Sequence, residues 1–549
     1  MMHVALALPV SAQSEAQHTE RYLQSIAGDQ ALLVDFLTRM PKGGDLHHHL
    51  TGAVYAESYI DYAVEDGDCI DRASLRIVAP PCDPERGTVP ATQALDDFVF
   101  RNRVIDAWSI RDFVPSADDP DVRRHFFATF GKFDLVTNGH WGEMLAEVVA
   151  RAGQQHEVYL ETMLTPDQGA ALGLVQAVPW TPDFGQLRAR FDAAGMSAVV
   201  ASARRNLDLA EAKMRRVLGC GSAVADPGCG VVLRYQNQVL RALSPEQVFA
   251  QMLAGFELGT VDPRVVAVNL VQSQDEYHAL QDFALQMRML DYLHRVYPRV
   301  HISLHAGELT PGEVPPAELY GSHIRDSIEI GHAERIGHGL DIAYERDAPA
   351  LLAEMARRHI LVEDCLFSHE VVRGMRGRDN VLPIYLRAHV PVALATDDEA
   401  IVRSELTWYF KRAVEGYHVD YFTLKGMVRD SLDHAFLPGR GLWRRPEQFV
   451  AVPECGESPL QRSPRSAACR AFLAHSERAA LEWREEVEFA RFERRASGGL
   501  SQREAHRSRV SAGSKSPRGS STDSSYSYNC VVASRDASAG TYEHVCRQR

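Results

Sequence analysis

The feature that most constrains this chain is a rhythm: eight short, apolar, strand-like runs alternate with longer amphipathic segments. The runs are 44–50, 157–164, 230–234, 265–271, 301–305, 335–338, 361–365 and 390–396. Helical patterns fall at 123–134, 184–211, 275–296, 349–358 and 409–434. Apolar runs joined by helical crossovers describe strands of a parallel sheet covered by helices on its outer face. Eight of them predict an α/β fold, a closed (β/α)8 TIM-type barrel. A further helix is expected over 18–40, where Tyr22, Ile26, Leu32, Leu33, Phe36 and Leu37 recur at helical spacing before Pro41. In such a barrel the C-terminal strand ends gather on one face, where active sites are built.

Every chemically suggestive motif lies at or just past one of those ends. His47-His48-His49 is in an extended run, so residues 47 and 49 share a face and 48 points away. Two imidazoles on one face form a chelating pair. His305-Ala306-Gly307-Glu308 turns at its glycine, placing His305 at a strand end and Glu308 just beyond, where a carboxyl can pass a proton to a substrate nitrogen. His301 lies one strand length back and reads as a packed core histidine. Gly337-His338-Gly339 leaves an imidazole between glycines, conformationally exposed and able to orient an attacking hydroxide. Asp397 and Asp398 follow a very apolar run, where two adjacent acids are costly unless a cation or hydrogen-bond donors satisfy them. Three histidines and an aspartate suit a borderline metal such as zinc.

Composition narrows the partners. Acidic residues number 73 against 59 basic ones, a formal charge of −14, which argues against nucleic acid or an acidic membrane surface and suits a small neutral molecule. No apolar run reaches the roughly 18 residues of a membrane-spanning helix. Residues 1–13 resemble the end of a secretory leader, with an apolar core from Val4 to Val10 and Ser11-Ala12-Gln13 behind it, although a leading basic residue is missing. Among nine cysteines, Cys69 and Cys82 bracket one short loop and Cys220 and Cys229 another. Both spacings can close a disulfide, which needs an oxidising compartment, so we expect a periplasmic or secreted protein, with a cytoplasmic one as the alternative. Residues 497–549 hold 13 serines in 53 positions and read as a disordered tail. The expected organisation is a leader remnant at 1–13, helical segment 14–40, barrel 41–445, helical extension 446–496 and the tail.

The segment from Met40 to Gly52, His305-Ala306-Gly307-Glu308, and the remaining motifs down to Phe436-Leu437-Pro438-Gly439 resemble the adenosine deaminase family of metal-dependent amidohydrolases. The resemblance spans roughly residues 40–445. It implies one zinc held by His47, His49, His305 and Asp397, with Glu308 protonating purine nitrogen 1. His338 and Asp397 would handle the attacking water, and Asp398 would bond nitrogen 7. Thr51 stands where relatives carry an aspartate that contacts the ribose, and Gln272 where they carry a glycine whose N–H reaches nitrogen 3. The implied reaction is hydrolytic deamination of adenosine and 2'-deoxyadenosine. Alternatives are deamination of adenine or a modified purine nucleoside, or an extracellular binding or signalling protein on the same barrel. AMP is disfavoured by the lack of a basic cluster in the sequence.

Overall fold

The computed structural model describes residues 10–513 except 118, 457–459, 461 and 462. Eight parallel strands form the central sheet: β1 (Gly43–His49), β2 (Glu157–Leu164), β3 (Val232–Leu240), β4 (Val265–Val271), β5 (His301–Ala306), β6 (Arg335–His338), β7 (Leu361–Asp364) and β8 (Val392–Leu394). Strands are neighbours in chain order, as right-handed βα units require. The seam closes just past β8, where Asp397 N–H donates to the His47 carbonyl (2.8 Å) and His49 N–H to the Asp397 carbonyl (3.0 Å). The expected TIM-type barrel is therefore the fold. All eight strand runs form, and β3 is longer than its expected run because Tyr235 to Val239 continue the ladder with β4.

The helical expectations hold with interruptions that have local causes. The 184–211 pattern divides into Phe184–Ala194 and Met196–Val217 at Gly195, whose φ of 112° is left-handed. The 409–434 pattern divides into Leu406–Tyr417 and Tyr421–Asp433, where Asp420 caps the second helix by accepting from Thr423 N–H. At the N-terminus, Val10–Ile26 and Gln30–Arg39 replace a single helix, and of the leader-like core Val4 to Val10, residues 4–9 lie outside the described residues.

The barrel interior is polar as well as apolar. Arg335, fully buried on β6, lies between Glu161 of β2 and Glu363 of β7, with its Nε 2.7 Å from Glu363 Oε1. Glu363 in turn accepts from Ser303 Oγ (2.8 Å) and pairs with His47 Nδ1 (2.7 Å). Gln236 Nε2 donates to Glu161, Asn269 Nδ2 donates to Gln236, and Asn269 Oδ1 faces His305 Nδ1 at 2.8 Å. A connected path of buried polar groups thus runs from His47 at the seam to His305 on β5.

The additions to the barrel are built into it. Residues 65–95 carry a three-stranded antiparallel sheet, Cys69–Asp71, Ile77–Val78 and Thr88–Pro90, and Cys69–Cys82 closes there. Cys220–Cys229 closes the second loop, and Cys455–Cys469 forms a third pair. The final helix, Glu477–Gly513, packs its first part on the barrel: Glu485 accepts from Gly43 N–H at 2.9 Å, and Glu486 forms a bidentate pair with Arg429. Burial pushes the Glu485 carboxyl up to about 8. The helix is described as far as Gly513, and the rest of the expected Ser-rich tail, residues 514–549, lies outside the described residues. Among the described residues no helix is long and apolar enough to cross a membrane.

Replacing Arg335 by leucine should leave Glu161 and Glu363 as buried, uncompensated anions. We expect Arg335→Leu to lower the unfolding free energy by about 3–5 kcal/mol, read as a lower urea midpoint for the metal-free protein. A midpoint equal to wild type would show that the chain of charges adds no stability.

Candidate metal centre and active site

The strand ends bring His47, His49, His305 and Asp397 together. His305 Nε2 lies 3.1 Å from both His47 Nε2 and His49 Nε2, and Asp397 Oδ1 lies 3.9 and 3.5 Å from the latter two. Ligand atoms about 2.0–2.1 Å from a tetrahedral zinc would be about 3.3 Å apart, so these spacings fit such an ion. The outer ring nitrogens strengthen the fit. His305 Nδ1 faces Asn269 Oδ1, which also accepts the His305 backbone N–H and can only accept. His47 Nδ1 faces Glu363, and His49 hydrogen-bonds Gln238. With its proton held at Nδ1, His305 directs an Nε2 lone pair toward the other imidazoles, a donor set suited to a cation.

Electrostatics agree with that reading. Burial, followed by the neighbouring imidazoles, holds His49 and His305 well below their ordinary values, favouring neutral ligand forms. Burial also disfavours charge on His47, but Glu363 and then Asp397 outweigh it and raise its value. Burial raises Asp397, and burial with Asp397 alongside pushes Asp398 well up. A bound cation would supply the missing opposite charge.

His48 turns to the other face, as its register requires, and pairs with Thr162 Oγ1 at 2.8 Å. Glu308 lies two residues beyond β5, its backbone N–H donating to Gln274. Its Oε1 is 3.9 Å from His338 Nε2 and 2.7 Å from Arg373 Nη2. Asp398 is buried against Gly52, where a Cβ would overlap its carboxyl, and its Oδ1 has no hydrogen-bond partner. Thr51 sits in the turn after β1, its carbonyl accepting from Tyr59. Gln272 follows β4 with φ +78°, a left-handed conformation that favours glycine; its side chain accepts from Ala242 N–H and its carbonyl from Arg241.

Two expectations need correction. The glycines beside His338 do not expose it: the residue is 2% accessible. Gly337 is small because a Cβ there would enter the His47 ring, so the glycine permits close packing of two imidazoles. His301 is not a core residue but lies half-exposed at the opposite end of β5, stacked on Phe436 and paired with Glu334.

The sequence reading also missed several site residues. Asn269 and Glu363 orient ligand histidines, and Arg373 grips Glu308. The fold also gathers arginines that are distant in the sequence, each close to an acid. Arg123 and Arg373 meet around Ser273 and Glu313, Arg241 carries charge near Glu308, and Asp275 pairs with Arg123. These residues are up to 250 positions apart, so no local motif announces them.

The family model described as adenosine deaminase matches residues 194–442. An adenosine deaminase from Clostridium perfringens is 29% identical over 136 residues, covering 25% of this chain and 37% of that protein; the chain thus aligns with little more than a third of this relative's length. An aminodeoxyfutalosine deaminase from Streptomyces avermitilis is 23% identical over 405 residues, 73% of this chain and 91% of the relative. Among solved structures, a zinc-bound amidohydrolase from Burkholderia ambifaria aligns with a TM-score of 0.49 at 14% identity, covering 74% of this chain and 88% of that one. The matched segment contains His305, Glu308, His338, Asp397 and Asp398, and over these residues the chain is similar to the adenosine deaminase family.

Proposed function

We propose that the protein hydrolytically deaminates a purine nucleoside, with adenosine and 2'-deoxyadenosine as the first substrates to test. The observation carrying this reading is the convergence of three imidazoles and Asp397 opposite a carboxyl, Glu308, and an imidazole, His338. A zinc ion held by His47, His49, His305 and Asp397 would lower the pKa of a bound water toward about 7. His338 and Asp397 would take up the proton of the attacking water, and Glu308 would deliver one to ring nitrogen 1 as carbon 6 is attacked. Asp398 would hold nitrogen 7, the Gln272 backbone N–H would face nitrogen 3, and Thr51 would meet the sugar. Ammonia and a 6-oxopurine would leave.

A second reading is favoured by Arg373, which pairs with Glu308, and Arg123, which with Arg373 meets Glu313; together they could accommodate an acidic group on the substrate. Their present partners Asp275, Glu308 and Glu313 balance them, so a neutral nucleoside remains our first choice. We also propose export to a periplasm or the exterior, supported by the short disulfide loops Cys69–Cys82 and Cys220–Cys229 and joined by Cys455–Cys469.

Three measurements check these proposals. The zinc-loaded protein should bleach the adenosine absorbance and release ammonia, and Glu308→Gln should lower kcat by about 100-fold or more with zinc retained. Failure on adenosine alongside turnover of adenine, N6-methyladenosine or AMP would reassign the substrate. Stripping the metal should abolish turnover, and His49→Ala should lower zinc occupancy; full activity without metal would refute the zinc assignment. Alkylation of the native, non-reduced protein should leave the six paired cysteines unmodified, whereas labelling at all of them would remove the case for export.

A further inference from the structure

Resting on that reading, the geometry around His338 points to a positioning device contributed by two residues that the reaction does not otherwise use. We propose that Asp364 and His369 set the protonation pattern of His338, so that its Nε2 presents a lone pair to the attacking water. The role of His369 is positional, since it acts on the reacting atoms only through His338.

The observations are these. His369 lies on the short helix Leu366–Val371 that follows β7, and its Nε2 is 3.2 Å from His338 Nδ1. Its own Nδ1 is 3.3 Å from Asp364 Oδ1, at ion-pair distance although off the line of a good hydrogen bond. Asp364, His369 and His338 are each at most 2% accessible. Neither Asp364 oxygen has a hydrogen-bond partner, so the nearest group able to balance that buried carboxylate is the His369 ring.

The proton assignment follows from balancing donors and acceptors. A carboxylate at Asp364 favours a proton on His369 Nδ1, which leaves His369 Nε2 as an acceptor in the neutral ring. Across 3.2 Å, His338 Nδ1 must then donate, and His338 Nε2 is left unprotonated on the side of Glu308. The same logic orients the inner rings of hydrolytic triads, where the outer carboxylate fixes the tautomer rather than taking the proton. Backbone geometry leaves His338 little freedom to choose otherwise, since its φ is +69° and its ring is packed against His47.

His369→Gln and His369→Leu in the full-length, zinc-loaded protein test the proposal. Glutamine keeps an acceptor for His338 Nδ1–H, whereas leucine removes it. We expect His369→Gln to keep kcat within about threefold of wild type, and His369→Leu to lose at least about tenfold in kcat with KM and zinc content unchanged. Imidazole 15N NMR, with the His338 signals identified by their loss in His338→Asn, should show Nδ1 protonated and Nε2 unprotonated in wild type and in His369→Gln. Wild-type kcat in His369→Leu, equal losses in both variants, or a proton on His338 Nε2 would overturn it. So would a second zinc ion lost with His369, which would make His338, Cys365 and His369 a metal site instead. If no purine is turned over, the proposed function fails while the NMR tautomer still decides this inference.

Discussion

The structure depends on a guanidinium held between two carboxylates inside the barrel. Arg335, Glu161 and Glu363 are all fully buried, and none could remain ionised there alone without a cost of several kcal/mol. Placed together they neutralise one another, and each carboxylate then has capacity left for a second task. Glu363 orients His47, while Glu161 accepts from Gln236, which orders Asn269 and through it His305. The contacts that make the interior tolerable are therefore also those that aim the metal-site imidazoles. Removing one partner would be felt both in stability and in the geometry of the site.

A second coupling lies at the seam. A barrel must close by pairing its first and last strands, and here that pairing occurs between residues 47–49 and Asp397, all of which face or flank the proposed metal. Asp397 and His338 adopt left-handed backbone conformations uncommon for such residues, at φ +63° and +69°. Sparse conformations of this kind persist where surrounding contacts hold them, and they cluster at functional sites. Peripheral elements supply part of that support: Glu485 from the final helix satisfies the first N–H of β1, and Thr396 is tied to Asp45 beneath the seam.

Much of the architecture was legible because it is periodic. The eight apolar runs became eight strands, and β2, β4 and β6 have the expected bounds, since a strand buried on both faces shows in the sequence as an uninterrupted apolar run. The alternation of side chains along an extended chain likewise separated His48 from its neighbours. Breaks such as Gly195 were less visible because a single residue, rather than a pattern, decides them. His338 was misread for a related reason: flanking glycines signal space around the chain, yet here another ring fills that space.

The sequence by itself determined the strand rhythm, the residues with metal-ligating and proton-carrying chemistry, and their placement at strand ends, because these follow from local hydrophobicity and side-chain type. Only the tertiary structure decided which second groups meet them. Asn269 behind His305, Glu363 behind His47, Arg373 on Glu308 and His369 on His338 join distant positions in the chain. Such pairings depend on barrel closure and strand register, which bring side chains to within about 3 Å without leaving a local sequence pattern, and so the proton and charge state of the site belongs to the fold.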